Sequence, residues 1–278
     1  MHPVIFQIDL FGLLSEPWSL HTYGLLIAGG FLLAMVLAKK QAEREGEDPD
    51  RIVDLAFYVL VSGLVGSRII FIFTKLDEYA KNPIEIVMFW RGGLVWYGGF
   101  IGAALFILYY TRRFHLNFFK FTDIMIPYTA LAHAFGRLGC VAAGCCFGQP
   151  ADLPWSIQFP VGSMAHHQQQ ADGLIGIGDP SLPVHPVQLY EAGFELLMFA
   201  LLTLMRPYKR VHGQLLLTWM MIYPIFRSIN EMYRGDKERG VYGWLSTSQY
   251  ISIGVALAAV GLYVYIRKTK VPLPAPAR

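Results

Sequence analysis

The chain has little charge. Asp, Glu, Lys and Arg make up 15% of its 278 residues, whereas about 25% is usual in a soluble domain. The net charge is only +3, which gives no reason to expect nucleic acid as a partner. Together with 54% hydrophobic residues, this composition excludes a disordered protein, a coiled coil and an ordinary cytosolic enzyme. It favours a protein that crosses a membrane several times.

Cysteine is also scarce. The sequence has three, Cys140, Cys145 and Cys146, all within seven residues. Three cysteines cannot all pair within one chain, so a disulfide framework is not expected. None stands at zinc-finger spacing, and we therefore predict no metal site. We interpret them as small packing residues, with a reactive thiol or a metal site as the alternatives.

Seven stretches are apolar and long enough to cross a bilayer core of about 30 Å, which takes roughly 20 residues. They predict an all-α polytopic membrane protein with seven transmembrane helices in a single domain, residues 1–278. Residues 141–184 are rich in Gly, Pro, Gln and His, and we expect a small irregular extracytoplasmic cap there, without a core of its own. The Pro-rich tail, 272–278, is expected to be disordered. The predicted spans are 22–37, 52–73, 93–110, 121–140, 187–204, 214–229 and 251–266.

Basic residues collect at alternate ends of these spans. They cluster at 39–51, 112–120, 206–210 and 267–278. Cytoplasmic loops carry an excess of Lys and Arg, so these ends are predicted to face the cytoplasm. The N-terminus is then outside and the C-terminus cytoplasmic.

Three arginines lie within or at the ends of spans, where a charge near the bilayer centre costs about 2.5–3.5 kcal/mol on insertion scales. We interpret Arg68 as snorkelling or paired with another helix. Arg137 and Arg227 lie at outer ends of spans, among other polar residues. Arg227, Glu231 and Arg234 share one helix face, so Glu231 can hold both guanidinium groups. Two planar guanidinium groups bind a phosphate in bidentate fashion.

Further polar and glycine-rich segments also lie at outer ends of spans. They include 92–102, 136–148 and 185–191, the last of which contains His, Gln, Tyr and Glu. Glycines allow close approach of a ligand or of another helix. We therefore predict one polar, arginine-lined cavity near the outer membrane surface, suited to the headgroup of an anionic lipid.

At these residues the chain resembles the prolipoprotein diacylglyceryl transferases. The similar segments follow the family's order through 2–6, 21–24, 92–102, 136–139, 185–191 and 226–234. The resemblance implies transfer of a diacylglyceryl group from phosphatidylglycerol to the lipobox cysteine of a preprolipoprotein signal peptide, with release of glycerol 1-phosphate. It implies no metal or organic cofactor and a location in the bacterial cytoplasmic (inner) membrane.

The resemblance also implies roles for individual residues. Arg137 and Arg227 would hold the phosphate, supported by Glu231 and Arg234. Further candidates for substrate binding are Tyr23, Gly98, Gly99, Gly148, Gln188, Tyr190 and Glu191.

The sequence departs from the family pattern at the expected base. Tyr97 stands where the best-studied members carry a histidine, and either Tyr97 or His185 is predicted to take the thiol proton. Cys140, Ala143 and Cys145 replace polar residues of the family signature. Two alternatives stay open: a diverged member with another acceptor, or a noncatalytic membrane protein that binds anionic lipids.

Overall fold

The computed structural model describes residues 4–8, 18–76, 79, 83–88, 95–236 and 240–269. Antiparallel pairs are formed by β1 (Val4–Ile8) with β2 (Trp18–His21) and by β3 (Val241–Tyr242) with β4 (Leu245–Ser246). The tail 272–278 lies outside the described residues. The helices are α1 (Thr22–Arg44), α2 (Pro49–Thr74), α3 (Trp96–Arg113), α4 (Phe118–Ala143), α5 (Met164–Ala171), α6 (Val187–Met205), α7 (Gln214–Met232) and α8 (Thr247–Thr269).

Of the eight helices whose bounds are given above, all except α5 are at least 18 residues long, and these seven overlie the seven predicted spans. The helical fold class is thereby confirmed. Within the part of the chain that the structure describes, four helical segments are both long and apolar enough to cross a membrane: Thr22–Arg44, Pro49–Thr74, Val187–Tyr208 and Thr247–Lys268. Crossing of the bilayer by α3, α4 and α7 stays a prediction.

The described chain packs as two compact units, where the sequence predicted one domain. The first unit comprises the described residues of Met1–Ala34 and Ile126–Arg278, and the second those of Met35–Met125. The boundaries fall inside α1 and α4.

In the second unit, α2 and α3 touch backbone to backbone. A Cβ atom on Gly66 would lie 2.3 Å from the carbonyl oxygen of Gly98, and one on Gly102 would lie 2.4 Å from that of Ser62. Any larger residue would force the helices apart, so these glycines are needed for helix packing. Gly98 and Gly99 therefore have a structural role, while their predicted role in substrate binding stays a prediction.

Arg68, also in the second unit, holds a neighbouring 3-10 helix (Pro83–Val87). Its guanidinium group donates to the carbonyl oxygens of Glu85 and Ile86, the latter at 3.0 Å. It also lies 5.3 Å from the ring centre of Tyr79. Bonds to backbone carbonyls compensate part of the cost of burying this charge, and the predicted snorkelling or helix pairing stays a prediction.

An apolar core in the first unit joins α4, α6 and α7. Ile126 and Ala130 of α4 pack with Met198 and Leu202 of α6 and with Leu215 of α7. All five are buried, and they fix the three helices that carry most of the polar site described below.

The segment 141–184 is more ordered than the sequence suggested. Helix α5 is capped by Ser163, whose side chain accepts a hydrogen bond from the amide of His166 at 3.2 Å. Phe147, Phe159, Ala165 and Val184 pack into a small buried cluster. The expectation of a segment without a core was therefore wrong.

Candidate functional site

Arg137 and Arg227 converge on one buried carboxylate, that of Glu191. Arg137 of α4 meets it with two atoms: its Nε lies 3.1 Å from Oε2, and its Nη2 donates to Oε1 at 3.1 Å. The Nε of Arg227 on α7 lies 3.7 Å from Oε1. The two guanidinium groups therefore meet at Glu191 of α6, while the predicted cavity for an anionic headgroup stays a prediction.

The three side chains meet because the same helix faces that form the apolar core continue into the polar site. Eleven residues separate Ile126 from Arg137 on α4 and Leu202 from Glu191 on α6, which is about 16 Å of helix in each case. The core packs one end of these faces and the ion pair closes the other. Rigid helices thus position both charges.

A second carboxylate connects Arg227 with Arg234, as their helical spacing predicts. The Oε2 atom of Glu231 lies 2.7 Å from Nη1 of Arg227 and 3.6 Å from Nη1 of Arg234. The closest carboxylate to Arg234, however, is Asp236, which the sequence analysis missed. The Nε of Arg234 donates to Oδ1 of Asp236 at 2.8 Å, and its Nη2 donates to Oδ2.

The pKa of Arg234 is raised. Burial alone would lower it, but the hydrogen bonds and the charge of Asp236, with a further contribution from Glu231, outweigh that effect. Arg234 is therefore a permanent cation just beyond the end of α7.

The carboxylates lie deeper than the arginines. The side chains of Glu191 and Glu231 are 3% and 2% exposed, compared with 17% for Arg137, 8% for Arg227 and 12% for Arg234. The arginine side chains therefore keep slightly more exposed surface than the carboxylates that they contact. Charge-assisted hydrogen bonds from guanidinium groups are a usual means of holding a phosphate.

Two further side chains, which were not predicted from the sequence, complete this cluster. Tyr223 donates a hydrogen bond from its hydroxyl to Oε1 of Glu191 at 3.0 Å. Nδ1 of His133 lies 2.7 Å from Oε1 of Glu195, which is fully buried. Both precede a candidate arginine by four residues, and this i, i+4 spacing within an apolar helix was the signal available.

His185 and Tyr190 form a separate polar group at the start of α6. Nδ1 of His185 lies 3.3 Å from the hydroxyl of Tyr190, which accepts a hydrogen bond from Nε1 of Trp155 at 2.8 Å. The His185 ring also packs 5.0 Å from that of Tyr233. These contacts hold the imidazole in place beside the loop that follows α4.

That loop, 144–149, is tied to the ends of α6 and α7. The side chain of Gln188 donates to the carbonyl oxygen of Cys145 at 2.7 Å, and the amide of Gly148 donates to the carbonyl oxygen of His185 at 3.1 Å. A Cβ atom on Gly148 would lie 2.4 Å from that same oxygen, so only glycine fits. Gln188 and Gly148, both predicted to bind substrate, have these structural contacts here.

The remaining predicted residues divide between the two units. Tyr23 belongs to the first unit, where its ring packs against Gly139, two residues along α4 from Arg137. Tyr97 is half-buried in the first turn of α3, in the second unit. One group of possible metal ligands occurs among the described residues, namely Cys140, Cys145 and Cys146.

Comparison with known proteins places this chain in a family. Residues 10–265 match the model of the family described as prolipoprotein diacylglyceryl transferase. The chain belongs to that family. This membership and the four long apolar helices identify a bacterial membrane protein.

Relatives in the prolipoprotein diacylglyceryl transferase family match along nearly their whole length. A protein of Clostridium tetani is 33% identical, and the alignment covers 95% of this chain and 97% of the relative. One of Bordetella bronchiseptica is 35% identical, with coverage of 93% and 95%. One of Pseudomonas putida is 33% identical, with coverage of 94% and 96%. All three are named phosphatidylglycerol–prolipoprotein diacylglyceryl transferase.

Proposed function

We propose that the protein transfers the diacylglyceryl group of phosphatidylglycerol to the lipobox cysteine of prolipoproteins. The names of its relatives supply the donor and the acceptor class. The observation that carries the proposal is the meeting of Arg137 and Arg227 at Glu191, with arginine side chains that keep more exposed surface than the carboxylate. Two guanidinium groups suit a phosphodiester headgroup whose acyl chains stay in the bilayer.

The chemistry of the reaction indicates that these arginines act on the leaving group. The sulfur of the substrate cysteine attacks the glycerol carbon that bears the phosphate, and a C–S bond forms as the C–O bond breaks. The electrons of the broken C–O bond stay on the phosphate oxygen, and glycerol 1-phosphate leaves. Fixed cations that face this oxygen stabilise the charge developing on it. Arg137 and Arg227 serve this role, while Glu191 and Glu231 fix their orientation.

The proton of the attacking thiol passes to a base, because the thiolate is the reactive form. Tyr97 and His185 are the proposed acceptors. His185 is held by Tyr190, and Tyr97 lies in the first turn of α3. The phenol and the imidazole are distinguished by separate substitutions, Tyr97→Phe and His185→Gln.

The proposed setting is the bacterial cytoplasmic membrane, crossed by all seven long helices. The N-terminus is then outside and the C-terminus cytoplasmic. The alternating basic clusters support this orientation. It puts Arg137, Arg227 and the segment 141–184 on the extracytoplasmic side.

The test is transfer by the purified protein in phosphatidylglycerol-containing nanodiscs, with a lipobox peptide as acceptor. We expect release of glycerol phosphate and a matching gain in peptide mass. Arg137→Ala should lower the rate by about 100-fold or more, since one fixed donor to a developing oxyanion is worth 10²–10³. Arg210→Ala, an exposed arginine remote in sequence, is the control.

Three results would contradict the proposal. Failure of the wild-type protein to release glycerol phosphate removes the transfer reaction. Transfer to a peptide whose lipobox cysteine is replaced by serine points to another acceptor. Lipid binding without turnover, merely weakened by Arg137→Ala, identifies a noncatalytic lipid-binding protein.

A further inference from the structure

The three cysteines of the chain come together at the end of α4. Cys140 lies in the last turn of the helix, and Cys145 and Cys146 lie in the loop that follows. Their sulfur atoms are all within 4.8 Å of one another, and all three are free thiols. Cys140 is buried, whereas the other two are partly exposed, so the cluster opens on the loop side.

An uncommon backbone conformation brings these sulfurs together. Gly144 has a φ of 71° and Cys146 a φ of 57°, a left-handed value that few residues other than glycine adopt. The amide of Cys145 donates back to the carbonyl oxygen of Cys140 at 3.2 Å, which turns the chain toward the helix. Strained residues of this kind persist where the surroundings fix them, and they concentrate at functional sites.

We propose that Cys140, Cys145 and Cys146 bind one soft, thiophilic metal ion, such as Cu(I) or Zn(II). Thiolate ligands favour these ions over Mg²⁺ or Ca²⁺. Metal–sulfur bonds of about 2.3 Å around one ion place three sulfurs about 4 Å apart. The observed separations of at most 4.8 Å require only a small closure of the cluster.

The surrounding charges suit such an ion. Three thiolates carry three negative charges, of which the metal offsets one or two. Arg137 interacts electrostatically with Cys140 and Cys146, and Arg234 with Cys146. Because both arginines also pair with carboxylates, they offset only part of the remaining negative charge.

Metal binding at the three cysteines would be coupled to the residues at the start of α6, next to the arginine cluster. Cys145 accepts a hydrogen bond from Gln188, and the loop that carries it is bonded to His185 through Gly148. An ion held by three cysteines would fix this loop against the start of α6. The binding itself does not depend on the transferase activity.

The experiment titrates the full-length protein, purified in detergent with a reductant, with Cd(II) as a spectroscopic probe. Because the sequence has only three cysteines, any thiolate-to-metal charge-transfer band reports on this cluster. We expect one ion per chain and a rise in melting temperature. Cys140→Ser, Cys145→Ser and Cys146→Ser should each weaken binding by at least ~100-fold, since loss of an outer-shell partner alone costs 10–100-fold.

The control is His167→Ala, which removes an imidazole from α5 and should leave the band and the affinity unchanged. Melting of each variant without metal verifies that it is folded. The absence of a band while three thiols react with a thiol reagent would overturn the proposal. Metal binding by any folded single-serine variant with the affinity of the wild-type protein would also overturn it. A disulfide that forms in air, with no metal binding after its reduction, would do the same.

Discussion

Glu191→Gln removes the negative charge that Arg137 and Arg227 share while keeping the shape of the side chain. Removing one partner of a buried ion pair costs about 3–5 kcal/mol, because an uncompensated charge stays buried. Glu191 is 3% exposed and takes two contacts of 3.1 Å from Arg137. We therefore expect the free energy of unfolding to fall by about 3–5 kcal/mol.

The structure explains why this decrease in the free energy of unfolding should exceed the decrease caused by loss of an ordinary hydrogen bond. The glutamine still accepts from the hydroxyl of Tyr223, 3.0 Å from Oε1, so that contact contributes little to the difference. The change comes from two guanidinium groups that lose a charged acceptor. Arg227 keeps Glu231 at 2.7 Å, and most of the destabilisation should arise at Arg137.

The assay is unfolding of the protein in bilayers or mild detergent, compared with Glu195→Gln. Glu195 lies one turn further along α6 and is fully buried, but its partners are His133 and Trp219. Loss of that charge-assisted hydrogen bond costs about 1.5–3 kcal/mol. The double variant Arg137→Gln with Glu191→Gln should recover part of the loss. A change below about 1 kcal/mol for Glu191→Gln, or no coupling with Arg137, would refute the reasoning.

Three further predictions concern the helices and the base. Tyr97→Phe should slow transfer by about 100-fold if its hydroxyl takes the proton, and a wild-type rate in the peptide assay would remove that role. Gly98→Ala should destabilise the protein by about 1–3 kcal/mol, because its Cβ atom would overlap Gly66 of α2. The control in thermal melting is Gly254→Ala in α8, where a Cβ atom meets open space. Equal melting temperatures of the two variants would contradict the packing of α2 against α3 at Gly98. Green fluorescent protein fused to the C-terminus should fluoresce, whereas activity of an alkaline phosphatase fusion at that end would reverse the orientation.

The long helices were predictable because each contains a mostly apolar run close to bilayer length, with few charges in it. Helix bounds extend beyond the predicted spans because polar ends such as 38–44 continue the helix without adding to its hydropathy. The contents of 141–184 were not predictable in the same way. Its small core depends on Phe147 meeting Phe159 and Val184, which lie far apart in sequence and show no periodic pattern.

The candidate site also has parts that the sequence predicts and parts that it does not. The link between Arg227, Glu231 and Arg234 follows from helical spacing alone, so the sequence sufficed. Pairing of Arg137 with Glu191 depends on how two helices pack, which spacing within one helix does not encode. Clustering of the cysteines depends on a left-handed turn at a non-glycine residue, which composition does not indicate.

The most direct test of the central claim is a structure of the protein with bound phosphatidylglycerol. We expect the lipid phosphate to lie within hydrogen-bonding distance, about 3 Å, of guanidinium nitrogens of both Arg137 and Arg227. A phosphate bound elsewhere, with these two arginines still closed on Glu191 and out of its reach, would contradict it.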